Sequence, residues 1–355
     1  MTRTRGILRT RPASHPQIGA RMSRTATAPA AMEQRLRTLT RALEHGPLTA
    51  EAELAWNAPY GRQEIWDLRI EDREAPGPHG PVPVRVYTPT AEPGGPRPVL
   101  VFCHGGSFQH GDLDMPEGDH TARGIAGRAD AVVVSVDYRL CDEPAGGSPA
   151  RRLPGTSETL NVRAPIPCDD VIAAVEWTRA SATELGIDPQ RLALGGASAG
   201  GNLAAAAALR LAEQGRAPAA SLLMYPVTHP LNPEPTAEEA EALAGLPEHL
   251  AFSPAKMRQM NENYLGAPLE RATAHDFPGL AGPEQLALLP RTYVESDEYD
   301  DLRASARGYA EQLAAAGVEV EHVVRRGVTH GHLNKVGLPQ AAASRDRMAA
   351  ILQEL

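Results

Sequence analysis

The sequence is poor in cysteine, in aromatic side chains and in long apolar runs, and each shortage excludes a class of protein. Three cysteines in 355 residues are too few and too irregularly spaced for a disulfide framework or a zinc site. Aromatic residues make up 4% of the chain, which gives little support for a wide aromatic-lined pocket. No run of about eighteen apolar residues occurs, so we expect no membrane span. The cysteines suit a reducing compartment, and we expect the cytoplasm.

Acidic residues outnumber basic ones beyond residue 30, with 44 aspartates and glutamates against 29 lysines and arginines. Residues 1–30 contain six arginines and no acidic residue, which leaves −15 on the remainder because the whole chain carries −9. An acidic body argues against nucleic acid as the main partner, since phosphate binding needs clustered cations. The basic stretch has no apolar core and is not a secretory signal. We expect a disordered extension at 1–30, or a true start at Met22 or Met32.

From residue 31 onward the chain contains a regular alternation of strand and helix patterns. Apolar spacing predicts helices at 31–45, 51–57, 169–182, 203–213, 302–316 and 338–353. β-type runs predict strands at 65–70, 82–88, 99–103, 131–136, 191–194, 221–225, 291–295 and 318–324. The alternation predicts an α/β fold with a mostly parallel, eight-stranded sheet flanked by helices.

Two stretches interrupt this alternation. Residues 228–285 are acidic and helical at first and then punctuated by proline. An excursion of this length between two core strands is expected to lie over the sheet as a lid. Residues 144–167 are predicted to form a long loop.

The strongest chemical signal is the segment LALGGASAGGN at Leu192–Asn202. A predicted strand meets a predicted helix across Gly196–Gly200, which places Ser198 in a G-x-S-x-G turn between them. Such a turn holds the serine in a strained conformation above a helix N-terminus, whose dipole favours developing negative charge. A phosphate-binding interpretation fails, because Gly201 and Asn202 stand where a P-loop has lysine and serine or threonine. We therefore predict that Ser198 is a nucleophile.

A nucleophilic serine needs donors for an oxyanion, a base and a carboxylate. His104-Gly105-Gly106-Ser107 follows a buried strand, where a Gly-Gly turn presents backbone N–H groups.

In α/β proteins with a nucleophilic serine in a G-x-S-x-G turn, the acid and then the base follow the serine along the chain. Asp297, Asp300 and Asp301 follow one predicted strand, and His330 and His332 follow the next. Both groups lie at the carboxyl ends of parallel strands, where such sites form. These residues alone leave open which aspartate and which histidine take part.

Together the motifs resemble the hormone-sensitive-lipase-like branch of the α/β-hydrolases, from about Asp67 to the C-terminus. The resemblance is carried in chain order by FCHGGSF at 102–108, VDYRL at 136–140, GIDPQR at 186–191, GASAGGNL at 196–203, YP at 225–226, DDLR at 300–303 and HG at 330–331. It implies an α/β-hydrolase fold in which residues 31–355 form the catalytic domain. It also implies a helical cap, built from about 31–60 and 228–285.

Carried over residue by residue, the resemblance implies that Ser198 is the nucleophile, Asp300 the acid and His330 the base. It also implies that the oxyanion is bound by the backbone N–H groups of Gly106, Ser107 and Ala199. Asp300 is favoured because the family's motif is Asp-Pro-Leu-Arg at the position where this chain has DDLR. His330 is favoured because a glycine follows it. His332 replaces the family's usual aromatic residue and remains a second candidate base.

The implied activity is hydrolysis of small carboxylic esters of short or medium acyl chain, without a metal ion or organic cofactor. An acyltransferase or amidase with the same residues, or a non-catalytic small-molecule receptor on the same fold, are the alternatives. Four aromatic residues are candidates for the acyl site, although packing is the expected role of each: Phe108, Phe252, Tyr264 and Phe277. A homodimer through strand 318–324 is the candidate assembly, because the family often pairs through sheet edges.

Overall fold

The structure, a computed structural model, describes residues 31–141 and 161–355. Two sequence predictions lie outside these residues: the disordered extension at 1–30 and most of the loop at 144–167. The last two residues of that predicted loop belong to a helix, which begins at Ile166.

An eight-stranded sheet runs through the protein. Its strands are β1 (Leu68–Ala75), β2 (Val82–Pro89), β3 (Arg97–Cys103), β4 (Val132–Val136), β5 (Ile187–Ala197), β6 (Ala220–Met224), β7 (Arg291–Tyr299) and β8 (Val320–Thr329). Their spatial order is β1-β2-β4-β3-β5-β6-β7-β8. β2 is antiparallel to β1 and to β4, and the other neighbours are parallel. The prediction of a mostly parallel, eight-stranded α/β sheet is confirmed, and β8 lies at one edge as expected.

Helices flank the sheet and connect its strands. They are α1 (Ala31–Glu44), α2 (Ala50–Asn57), α3 (Pro116–Ala129), α4 (Ile166–Ala180), α5 (Ala182–Leu185), α6 (Ala199–Ala212), α7 (Ala237–Leu243), α8 (Pro254–Leu265), α9 (Pro283–Leu286), α10 (Arg303–Ala315) and α11 (Pro339–Glu354). Within the described residues, no helix combines the length and the apolar character needed to cross a membrane.

The sheet separates two apolar cores, and β3 contributes to both. Val99, Val101 and Cys103 enter the core shared with α4, α6 and α10, whereas Leu100 and Phe102 enter the core shared with α1, α3 and α11. Because side chains alternate between the faces of a strand, a strand covered on both faces has an unbroken apolar sequence. This is why 99–103 has no polar alternation.

Helix α3 is the main difference from the sequence prediction, which placed no helix between 103 and 131. Three glycines at 118, 124 and 127 weaken the helical pattern. Two of them make room for neighbours: a Cβ on Gly127 would lie 2.1 Å from the Trp66 ring, and one on Gly124 would lie 2.5 Å from the Arg345 side chain. The glycines are therefore explained by close packing rather than by a turn.

Several strands also have different bounds from those predicted, and β5 differs most, because it runs from Ile187 to Ala197 where a strand at 191–194 was predicted. β1 begins three residues later than expected and continues to Ala75, while β7 and β8 extend to Tyr299 and Thr329. The polar residues at these strand ends conceal the β pattern, yet they are paired across the ladder, as Asp297 is with Arg325. As a result Asp297 lies inside β7, whereas Asp300 lies just beyond it.

The segment between β6 and β7 contains α7, α8 and α9 and departs from the strand–helix alternation. Its Leu246 and Leu250 pack against the same apolar core as Leu43 near the end of α1. Thr40 and Leu43 also line one surface cavity together with Leu246 and Pro247. The two stretches predicted as cap elements therefore lie side by side.

Candidate active site

Ser198 occupies the turn between β5 and α6. Its backbone has φ 53° and ψ −118°, a conformation that costs a non-glycine residue about 1–3 kcal/mol and persists only where the surroundings hold it. The Ser198 N–H donates to the Met224 carbonyl at 2.9 Å. A Cβ at Gly196 would lie 2.3 Å from the Gly200 oxygen, and one at Gly200 would lie 2.2 Å from the His104 oxygen. The small residues of the motif thus let β3, β5 and α6 meet beneath the serine.

The structure brings Ser198, His330 and Asp300 together from three parts of the chain. The Ser198 Oγ lies 2.9 Å from His330 Nε2, and His330 Nδ1 lies 2.7 Å from Asp300 Oδ2. Asp300 is buried, and its other oxygen accepts the Leu302 N–H at 3.0 Å. This carboxylate favours the tautomer with the proton on Nδ1, which leaves Nε2 free to accept the serine proton.

Two aromatic rings meet the His330 ring edge-on. The Phe252 centroid lies 4.7 Å and the Tyr225 centroid 5.0 Å from that of His330. Burial by itself lowers the pKa of His330, but the negative charge and hydrogen bond of Asp300 and the charge of Asp297 outweigh burial, so the pKa is raised above its ordinary value. The imidazolium form is therefore stabilised at this position.

The second candidate base, His332, belongs to a separate buried group. Its Nδ1 lies 2.8 Å from Asp297 Oδ1 and its Nε2 lies 2.9 Å from Ser344 Oγ. Both His332 and Asp297 have no exposed surface. Burial raises the pKa of Asp297 to about 6, against the opposing effect of His332. The structure pairs His332 with Ser344 rather than with Ser198.

The third candidate aspartate, Asp301, points toward the segment between β6 and β7. Its Oδ2 accepts the backbone N–H of Phe252 at 2.9 Å. Asp301 therefore anchors the residue whose ring contacts His330, while Asp300 contacts His330 itself.

Among the described residues, one group has metal-ligand spacing: Glu295, Asp297 and His332, whose ligand atoms lie within 4.8 Å of one another. A cation is already present there, because Arg325 Nη2 lies 2.5 Å from Glu295 Oε2. Ser344 donates to the other Glu295 oxygen at 2.5 Å. A metal ion would have to displace the guanidinium, so the arrangement fits an ion pair better than a metal centre.

The loop after β3 carries the predicted oxyanion donors Gly106 and Ser107. Three consecutive residues have positive φ: 120° at Gly106, 56° at Ser107 and 63° at Phe108. A Cβ on Gly105 would lie 3.1 Å from the Ser198 Cβ, so this loop borders the serine. The third predicted donor, Ala199, is the first residue of α6.

A pocket of about 310 Å³ opens beside this loop and is lined by Ser107, Gln109, Leu250, Phe252 and Met260, among others. Its size lies at the lower end for small-molecule sites. Of the four candidate aromatic residues, Phe252 lines the pocket.

The other three candidate aromatic residues pack away from solvent. Phe108 stacks on Tyr264 with 4.0 Å between centroids, and Tyr264 meets Phe277 edge-on at 5.8 Å. All three are fully buried. Packing, the expected role, is therefore what the structure shows for them.

Glu117 borders the site but was not among the candidates, because α3 was not predicted. It is buried and accepts the Gly105 N–H at 2.5 Å and the Tyr225 hydroxyl at 2.6 Å. A local signal exists: Pro116 at the first helical position and acidic residues in the first turn are both typical of a helix start.

Comparisons with known proteins show the family to which the chain belongs. A family model described as alpha/beta hydrolase fold matches residues 160–334, and the carboxylesterase family model matches residues 83–220. The chain is 36% identical to the esterase LipI of Mycobacterium tuberculosis (strain ATCC 25618 / H37Rv) over 280 residues, 78% of each chain. It is 35% identical to the carboxylesterase NlhH of the same strain over 300 residues, 81% of this chain and 83% of NlhH.

Solved structures give the same result. A thermostable esterase from Pseudomonas putida ECU1011 matches with a TM-score of 0.72 and 27% identity, covering 93% of this chain and 98% of that one. Likeness at this level extends far beyond the short motifs around the serine. The chain belongs to the hormone-sensitive-lipase-like carboxylesterases of the α/β-hydrolase fold.

Proposed function

We propose that the protein hydrolyses small carboxylic esters with Ser198 as nucleophile, His330 as general base and Asp300 as the carboxylate that orients His330. The observation that carries the proposal is the pair of contacts at 2.9 Å and 2.7 Å that joins the three side chains. They lie at the carboxyl ends of β5, β7 and β8, beside an open pocket. Position and access together favour this serine as the reactive one.

The reaction takes two steps. His330 Nε2 accepts the hydroxyl proton as Ser198 Oγ attacks the ester carbonyl, and the resulting oxyanion is placed against the N–H groups of Gly106, Ser107 and Ala199. Collapse expels the alcohol, which takes the proton from His330. Water then attacks the acyl carbon while His330 accepts its proton, and the acid leaves as Ser198 Oγ takes that proton back.

The packing around the site supports a preference for short or medium acyl chains. Phe108, Tyr264 and Phe277 fill the space behind the loop after β3 and are fully buried. The open volume beside Ser107 is about 310 Å³. An acyl chain that entered behind the loop would have to displace the stacked rings, and burying it would not repay the lost packing, so we infer that the chain is confined to this limited volume.

We propose that residues 31–60 and 228–285 act as a cap over this site, within a catalytic domain of residues 31–355. The support is local: Phe252, from the second stretch, contacts the His330 ring at 4.7 Å and is tied to Asp301 through its backbone. Movement of this stretch would therefore change access to Ser198 and the packing of His330 at once.

A chain-length series tests this function. The 4-nitrophenyl esters of acetate, butyrate, octanoate and laurate are compared for the wild type and for Ser198→Ala, together with labelling by a fluorophosphonate. We expect kcat/KM to be highest for acetate or butyrate. Ser198→Ala should lower turnover by about 10⁴-fold or more and abolish labelling. Near-wild-type turnover by Ser198→Ala would refute the assignment of the nucleophile, and a maximum at laurate would refute the acyl preference.

A further inference from the structure

The loop after β3 needs anchors, because its conformation is strained. Ser107 and Phe108 both have positive φ, a conformation that L-residues rarely adopt. Such a loop keeps one shape only if its surroundings over-determine it. Since two of the proposed oxyanion donors lie in this loop, a small shift there would move them away from the developing charge.

Phe108 and His104 are held from the side of the core that contains α4 and α6. The Phe108 carbonyl accepts the Cys141 N–H at 2.7 Å, and the His104 carbonyl accepts the Tyr138 hydroxyl at 2.8 Å. Gly105, which lies between them and next to Gly106, donates its N–H to the Glu117 carboxylate at 2.5 Å. Glu117 therefore holds the loop one peptide away from the proposed donors.

Glu117 also contacts two residues near His330, one directly after β6 and one in the turn that follows β8. Its second oxygen accepts the hydroxyl of Tyr225, the residue directly after β6, at 2.6 Å. Tyr225 itself has φ 37°, and its ring meets the His330 ring edge-on at 5.0 Å. Asn334, four residues after His330, donates to the same oxygen at 3.3 Å and accepts the Glu117 N–H at 3.1 Å.

We propose that Glu117 is a positioning residue for ester hydrolysis: it ties the oxyanion loop, through Gly105, to the residues that pack against and follow His330. The inference rests on the proposed function, because it assigns Glu117 a task in the reaction of Ser198. One buried carboxylate couples the part of the site that binds the oxyanion to the part that moves the proton.

The choice of a carboxylate rather than a neutral acceptor follows from the hydrogen bonds it must accept. Gly105 N–H and the Tyr225 hydroxyl approach different oxygens of Glu117. A carboxylate accepts at both oxygens, whereas an amide accepts at one and donates at the other. Hydrogen bonds to a charged acceptor are also roughly twice as strong as neutral ones.

The charge of Glu117 adds to the field at His330. The groups that face His330 are Asp300 and Asp301 after β7, Asp297 within β7, and Glu117 from α3. Glu117 is one of the negative charges that raise the pKa of His330. Removing the charge of Glu117 should therefore change the pH dependence of catalysis, whereas removing the neutral Tyr225 hydroxyl should not.

The test compares three full-length variants on 4-nitrophenyl acetate. Glu117→Gln keeps the size but accepts hydrogen bonds at one oxygen only, so it loses either Gly105 or both Tyr225 and Asn334 as donors. Tyr225→Phe removes one donor and keeps the charge. Asp119→Asn is the matched control, because Asp119 is also buried in the first turn of α3 but accepts from Tyr87 and Arg123 instead.

For Glu117→Gln we expect kcat to fall about 10- to 100-fold, below the loss from deleting an oxyanion donor outright, with KM changed less than about threefold. The Ki of a trifluoromethyl ketone, whose adduct with Ser198 carries an oxyanion, should rise by the same factor as kcat/KM falls. The acidic limb of kcat/KM should move to lower pH in Glu117→Gln and remain in place in Tyr225→Phe. Asp119→Asn should stay within about twofold of the wild type.

The inference is overturned if Glu117→Gln resembles Asp119→Asn in kcat, or if its inhibitor constant does not follow kcat/KM. If Glu117→Gln does not fold, as thermal unfolding would show, Tyr225→Phe decides: we expect a loss of about threefold to tenfold in kcat, and wild-type kcat refutes the inference. Failure of the proposed function is a different result, namely that Ser198→Ala retains activity.

Discussion

Two groups of serine, histidine and aspartate have almost the same distances, and their aspartates and histidines lie within a few residues of each other along the chain. Ser198, His330 and Asp300 are joined at 2.9 Å and 2.7 Å, and the second group, Ser344, His332 and Asp297, is joined at 2.9 Å and 2.8 Å. Distances alone therefore do not separate a candidate catalytic group from a structural one.

The surroundings of the two serines separate them. Ser198 is strained, 7% exposed and bordered by the loop that carries Gly106 and Ser107. Ser344 lies inside α11, fully buried, and its hydroxyl lies within hydrogen-bond distance of Glu295 and of the Gln340 carbonyl. An ester needs access to the oxygen and donors for its oxyanion, and the partly exposed Ser198 beside the loop of the proposed donors fits this need better than the fully buried Ser344.

The largest expected contrast is between the two histidines. His330→Gln should lower kcat/KM by about 10³- to 10⁴-fold or more, because among the described residues His330 is the base that contacts the Ser198 hydroxyl. His332→Gln should stay within about tenfold but lower the unfolding free energy by about 1–3 kcal/mol, since Asp297 and Ser344 would lose their partner. Kinetics and urea unfolding measure the two effects. An equal kinetic loss in both variants would remove the distinction between the groups.

The aspartates give the next contrast. Asp300→Asn should lower kcat by about 10³- to 10⁴-fold, because the amide favours the wrong tautomer of His330. Asp297→Asn should change kcat less than about tenfold, since Asp297 is hydrogen-bonded to His332. Steady-state rates on 4-nitrophenyl acetate measure both, with unfolding midpoints as the control for stability. A larger loss for Asp297→Asn would reverse the proposed roles.

The pH profile gives a smaller effect that couples the groups. His330 must be neutral to accept a proton, and its pKa is raised, so kcat/KM should fall as the pH decreases through a midpoint above 6.5. Asp297 is one of the charges that raise this pKa, so Asp297→Asn should move the midpoint to lower pH. A midpoint that the substitution leaves unchanged would show the two groups to be electrically independent.

The smallest effect concerns stability. The pKa of Asp297 is raised by burial from 3.8 to about 6, so the folded state binds this proton more tightly than the unfolded chain does. Its contribution to stability is fully present below about pH 3.8 and is lost as the pH rises through about 6. As the pH rises from 4 to 6.5, the unfolding free energy of Asp297→Asn should therefore decrease less than that of the wild type, as measured by urea unfolding. Parallel curves for the two proteins would contradict the shifted pKa.

Much of the fold was predictable because it depends on local patterns. The apolar runs at 99–103 and 131–136 indicated central strands, and the glycines around Ser198 indicated the elbow. Helix α3 was not predictable in this way, because Gly124 and Gly127 are there to admit Arg345 and Trp66, which are distant in sequence. Glu117 was missed together with its helix.

The sequence by itself determined which chemical groups are available and in what order: Ser198 in its elbow, then aspartates, then two histidines. It left the pairing open until a family resemblance favoured Asp300 and His330. Only the tertiary structure brought His330 into contact with Ser198 and His332 into contact with Ser344. The physical reason is that β7 continues to Tyr299, so ladder pairing buries Asp297 within the strand while Asp300 lies beyond its end. Strand length and long-range packing set that boundary, and neither is encoded in the local pattern of the residues concerned.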